Sequence, residues 1–205
     1  MGNGVFDKMS LLDVNDLIVA SVPVMDRFAA IEPKPWTRKT LILELIGEIG
    51  SLAHLVQYWD GFKRGRPTLS MLADESSDVL FIILRLARAE GIALPQTVAF
   101  GKEQHRQATD LVLELSRCAA DLLNPASDLA SGLVAMLMTL GGLTNLLGVD
   151  LAYAHHNEME IALCYFEASG KYWPRPQLLR YPTATFRLAR LLWKKRMNKR
   201  MPKDI

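Results

Sequence analysis

The chain has 205 residues, half of them hydrophobic, enough for one large domain or two small ones. Its formal charge of +2 is too balanced to argue by itself for a nucleic-acid partner. Two cysteines, Cys118 and Cys164, exclude a disulfide framework and fit a reducing compartment. The opening MGNGVFDKMS lacks a signal-peptide core, so a cytoplasmic location is expected.

A first helix is expected over residues 11–30, with Asp13 or Asn15 as its cap and Pro23 as a point of kinking. The prolines of Glu32-Pro33-Lys34-Pro35-Trp36 make a rigid connector. Thr37 then caps a second helix over 38–58. Residues 60–67 read as a polar, basic loop, and 70–90 as a third helix closed by Gly91. Pro95 falls near the first position of a fourth helix, over 94–108. No stretch alternates with period two, so the expected class is all-α.

The second half repeats the first. LVLEL at 111–115 echoes LILEL at 41–45, Gly148 answers Gly91, and Leu151 answers Leu94. The expected architecture is two helical bundle units in tandem, packed as an internal pseudo-dimer. Residues 1–108 form the first unit and 109–170 the second; 171–205 add a Pro-rich connector and a basic helix. Between Asp128 and Asp150 there is no charge, a length that meets the membrane criterion. The repeat reads that stretch instead as the buried counterpart of the third helix, and no membrane partner is expected.

Acidic residues recur at helical spacing on the second and third helices. Glu44 and Glu48 are i,i+4, and Glu75 and Asp78 are i,i+3, so each pair shares a face. Glu48 and Glu75 are embedded in apolar sequence, where a carboxylate requires a partner. That partner is either a cation such as Arg38, Lys39, Arg85 or Arg88, or a divalent metal held between the helices.

The stretches IGEIGSLAHLVQYWDG and LADESSDVLFIILRLARAEGIALP resemble the MazG-like all-α nucleoside triphosphate pyrophosphohydrolases, in particular the dCTP-pyrophosphatase branch. The resemblance covers roughly residues 11–106. The family pattern places E-x-x-E on one helix and E-x-x-D on the next. It puts Glu48, Glu75 and Asp78 on metal-ligand and catalytic positions. Ser51 stands where a second glutamate is expected, and Glu44 is the acid available to compensate. The resemblance implies Mg2+ as cofactor and a nucleoside triphosphate as substrate, dCTP or another pyrimidine dNTP, cleaved to the monophosphate and pyrophosphate. Lys39, Lys102 and Arg106 are candidates for phosphate binding, and Trp36 and Tyr58 for the nucleobase.

In the second unit the equivalent positions are Cys118, Asp121, Gly132 and Ala135. Only one is acidic, so that unit is expected to be scaffold. A chain of this kind that binds nucleotide or a protein partner without turnover is the alternative. His155-His156 does not suit a shared metal, because adjacent helical side chains diverge by about 100°. The basic helix at 183–197 fits a solvated helix end better than a nucleic-acid contact. A further homodimer is left open.

Overall fold

The structure is a computed structural model and describes residues 10–101 and 106–169. It is mostly helical, with one two-stranded sheet. In chain order the elements are β1 (Ser10–Asp13), α1 (Val14–Ile31), α2 (Arg38–Trp59), α3 (Leu69–Ala89), β2 (Thr97–Phe100), α4 (Ala108–Asp121), α5 (Leu129–Leu147) and α6 (Leu151–Ser169). The described residues up to Tyr165 belong to one compact unit.

Local chemistry sets the helix ends. Asp13, rather than Asn15, caps α1, its Oδ1 accepting from the Asp16 amide at 3.0 Å. Thr37 caps α2 in a reciprocal box: the Thr37 hydroxyl accepts from the Thr40 amide, and the Thr40 hydroxyl accepts from the Thr37 amide. At the start of α4 the Asp110 carboxylate accepts from the Gln107 amide at 3.2 Å, and the Gln107 side chain makes no cap hydrogen bond. Helices α3 and α5 end alike. Gly91 and Gly148 take φ of 66° and 72°, a region that disfavours residues with a Cβ. Beyond them the amides of Ile92 and Val149 donate to the carbonyls of Ala87 and Thr144, each at 2.8 Å.

The fourth helix expected over 94–108 is not there in its first part. Thr97–Phe100 is a strand, paired antiparallel with Ser10–Asp13 in the register Ser10↔Phe100 to Asp13↔Thr97. The Val14 amide extends the link by donating to the Gln96 carbonyl at 2.8 Å. Pairing with a distant segment overrides the helix-start signal of Pro95 here, as β-forming residues such as Val98 and Phe100 permit. Residues 102–105, and the 171–205 segment with the expected basic helix, lie outside the described residues.

Packing builds a ring of four helices: α2 lies on α3 and α4, and α5 lies on α4 and α3. Helices α2 and α4 run in opposite senses. Arg38 at the start of α2 donates to the Leu122 carbonyl just past α4, at 2.7 Å. Asp60 just past α2 accepts from the Thr109 amide at the start of α4, at 2.8 Å. Leu41, Ile42, Leu45, Leu52, Leu80, Ile83, Leu111, Leu133 and Leu140 fill the ring's interior with almost no exposure. Each such side chain contributes about 1.5–3 kcal/mol by leaving water. Helices α2 and α5 are both long and apolar enough to cross a membrane, and about half of each apolar window is buried inside the protein.

Candidate metal centre

The buried stripe of α2 runs Leu41, Ile42, Leu45, Glu48, Ile49, Leu52, Leu55, Val56. Glu48 therefore occupies a core position, at 7% exposure. Helix α3 packs against α2 and carries Glu75 and Asp78, both half-buried, one turn apart. One carboxylate oxygen from each of Glu48, Glu75 and Asp78 lies within 4.8 Å of the others. Two ionised carboxylates at that separation would repel by about 3 kcal/mol for an effective dielectric constant near 20, and a cation between them offsets it.

An oxygen-only donor set of this kind suits a hard cation. Oxygens on opposite sides of Mg2+ stand about 4.2 Å apart, and those around Ca2+ up to about 5 Å. The three residues thus fit one divalent ion with little rearrangement. Glu44 lies one turn before Glu48 on α2 and is not among the groups within that distance. Ser51, half-buried, lies one turn after Glu48 on the same side.

Three of the cations offered above as rival partners are bound elsewhere. Arg85 pairs with Glu32 at 2.5 Å, Arg88 with Asp26 at 2.8 Å, and Arg38 with the Leu122 carbonyl. The fourth, Lys39, is exposed.

The residues proposed for substrate contact do not gather in one place. Trp36 precedes α2 and carries the Arg85 guanidinium over its ring, at 4.5 Å. Tyr58 is at the other end of α2, edge-on to His54 and beside Lys63. A helix of this length separates them by about 30 Å, so one nucleobase cannot touch both. Lys39 and Tyr58 each stand about 13–15 Å along the axis from Glu48. Arg106 donates to Glu114 at 2.6 Å, and Thr139 donates to the other oxygen of Glu114 at 3.3 Å. The Arg106 hydrogen bond holds the Glu114 carboxyl below the usual glutamate range. Lys102 lies outside the described residues.

At the four positions that the expected repeat equates with Glu48, Ser51, Glu75 and Asp78 the chemistry is apolar or neutralised. Cys118 is buried, which pushes its thiol up. Asp121 pairs with Arg117 on its own helix at 3.1 Å. A Cβ at Gly132, which the expected repeat equates with Glu75, would stand 2.6 Å from Leu122 Cδ2. Leu122 fills the space that a carboxylate would need there, and Ala135 brings no ligand.

One polar cluster escaped the reading of the sequence. His155 on α6 is fully buried. Its Nε2 is 2.7 Å from the Ser21 hydroxyl on α1, and its Nδ1 is 3.1 Å from the Ser77 hydroxyl on α3. Burial, and then neighbouring His156, push the imidazole down to about 4, so it is neutral at physiological pH. The signal was present: buried positions 151, 154, 155, 158, 159 and 162 form one helical stripe, and His155 and Glu158 interrupt it. His156 points elsewhere, to Asp16 at 2.7 Å.

No family model matches the chain, and no curated protein or solved structure matches it.

Proposed function

We propose that this protein is a magnesium-dependent nucleoside triphosphate pyrophosphohydrolase, built as a MazG-like internal pseudo-dimer with a single metal centre. The observation that carries this reading is the convergence of Glu48, Glu75 and Asp78 from two packed helices. Mg2+ held by these three carboxylates supplies the positive charge that offsets charge developing on the phosphate oxygens. Glu48 or Glu75 accepts the proton of the attacking water, because each is a carboxylate within reach of the same small volume. Lys39, Lys102 and Arg106 are the candidate phosphate contacts; Arg106 would have to share its guanidinium with Glu114. Trp36 and Tyr58 are alternative base contacts, one at each end of α2.

The matching end geometries of α3 and α5 support the duplicated architecture, as does a residue three positions past the cap accepting from the cap amide at the starts of both α2 and α4. Leu122 packed at Gly132 supports a second unit without a metal site.

The test is pyrophosphate release from a panel of canonical and modified nucleotides, with and without Mg2+. Glu75→Gln and Asp78→Asn should abolish release from any nucleotide the wild type cleaves. A panel that gives no pyrophosphate above blank sinks the enzyme reading. A catalytically silent nucleotide-binding or protein-interaction module is the second reading, favoured by Ser51 at the fourth ligand position. It predicts thermal stabilisation by nucleotide or capture of a protein, with no product.

A further inference from the structure

A buried hydrogen-bond chain runs through His155. The Ser21 hydroxyl donates its proton to the Leu17 carbonyl at 2.8 Å. Its oxygen accepts from the imidazole in the tautomer that carries the proton on His155 Nε2. In that tautomer the bare Nδ1 accepts from the Ser77 hydroxyl. Ser21, Ser77 and His155 are all fully buried. One rigid ring thus ties α1, α6 and α3 together.

Its attachment point on α3 is the second of the two serines between the two acids of that helix. Ser77 follows Glu75 and immediately precedes Asp78. The position of both carboxylates relative to Glu48 depends on the rotation of α3 about its axis. A carboxylate about 6 Å from that axis moves about 2 Å for a 20° turn. Metal–ligand distances tolerate only about 0.2 Å. Leu72, Val79, Leu80 and Ile83 anchor α3 by apolar packing, which constrains direction less sharply than a hydrogen bond.

We infer that His155 is a positioning residue for the metal centre, setting the rotation of α3 through Ser77 so that Glu75 and Asp78 both meet Glu48. The inference rests on the metal centre proposed above and extends it to a residue on a separate helix. Hydrogen bonds behind metal ligands typically carry 10–100-fold in affinity. Here the effect passes through the helix backbone, so the lower end of that range is expected.

The test is Mn2+ binding to the full chain, read from the electron paramagnetic resonance of the free ion, beside thermal melts of each variant. Ser77→Ala removes one oxygen and should still fold; it should weaken Mn2+ binding about tenfold. His155→Leu should weaken it as much or more, and His155→Gln, which keeps an amide in place of the ring nitrogens, should recover most of it. Leu137→Ala, a core change on α5, should lower the melting temperature but leave Mn2+ affinity within twofold. If wild type binds Mn2+ and Ser77→Ala and His155→Leu bind it equally well, the positioning role is overturned and the metal centre stands. If wild type binds no Mn2+ at millimolar concentration, both are overturned.

Discussion

The ring of Phe100 occupies the space that a side chain at residue 141 would need. A Cβ built at Gly141 would stand 2.6 Å from Phe100 Cδ1 and 2.8 Å from Cε1. This contact seats β2 against the middle of α5. Gly141→Ala should therefore destabilise the protein although alanine favours helix. Overpacking costs about 1–3 kcal/mol and the helix gain is about 1 kcal/mol, so a net loss of up to about 2 kcal/mol is expected. Denaturant melts check the loss, and Phe100→Leu in the same chain should recover part of it.

Ligand binding to the native state alone raises stability by mass action. Mg2+ at a hundred times its dissociation constant should stabilise the wild type by about 2.7 kcal/mol. Glu48→Gln, Glu75→Gln or Asp78→Asn should each remove that increment, since each takes away one of three converging carboxylates. Differential scanning calorimetry with and without Mg2+ reads it directly. Glu44→Gln, outside the cluster, should keep most of it.

His155 gives stability a pH dependence of known sign. Its imidazole titrates near 4 in the folded chain, below the ordinary value of 6.5. Between those values the unfolded chain binds a proton that the folded chain refuses. The contribution is thus full above pH 6.5 and is lost as pH falls toward 4. The loss from pH 8 to pH 5 should be about 2 kcal/mol. His155→Gln should flatten that slope. Urea midpoints for the two proteins at both pH values decide the matter; parallel slopes would rule the assignment out.

Arg85 is held between Phe28 and Trp36 and pairs with Glu32, whose side chain is only 3% exposed. Removing one member of a buried pair strands the other charge. Glu32→Ala should cost about 3–5 kcal/mol. Trp36→Ala should cost about 1–2 kcal/mol through the lost cation–π contact. If Trp36 contributes only this packing, its loss leaves the KM for nucleotide unchanged, whereas a role in base binding raises KM.

Helical periodicity and caps made α1, α2 and α3 legible, and the echo of the first half in the second carried that reading to the segments of α4 and α5. Strand β2 was not, since its partner lies far away in sequence and its seat is the bare backbone of Gly141. Of the candidate site, Glu48, Glu75 and Asp78 were readable from spacing and resemblance, and they do converge. Trp36 and Tyr58 looked like neighbours of the metal helix in sequence, but a continuous α2 holds them at its two ends. His155 was set aside as a metal ligand beside His156, and its real partners, Ser21 and Ser77, come from two helices remote in the chain.

The most direct measurement is anomalous diffraction from crystals soaked with Mn2+ and a non-hydrolysable deoxynucleoside triphosphate. A manganese peak is expected, bounded by carboxylate oxygens of Glu48, Glu75 and Asp78, with a phosphate oxygen completing its shell. A peak held by other residues, or a nucleotide bound with no metal between these three acids, would contradict it.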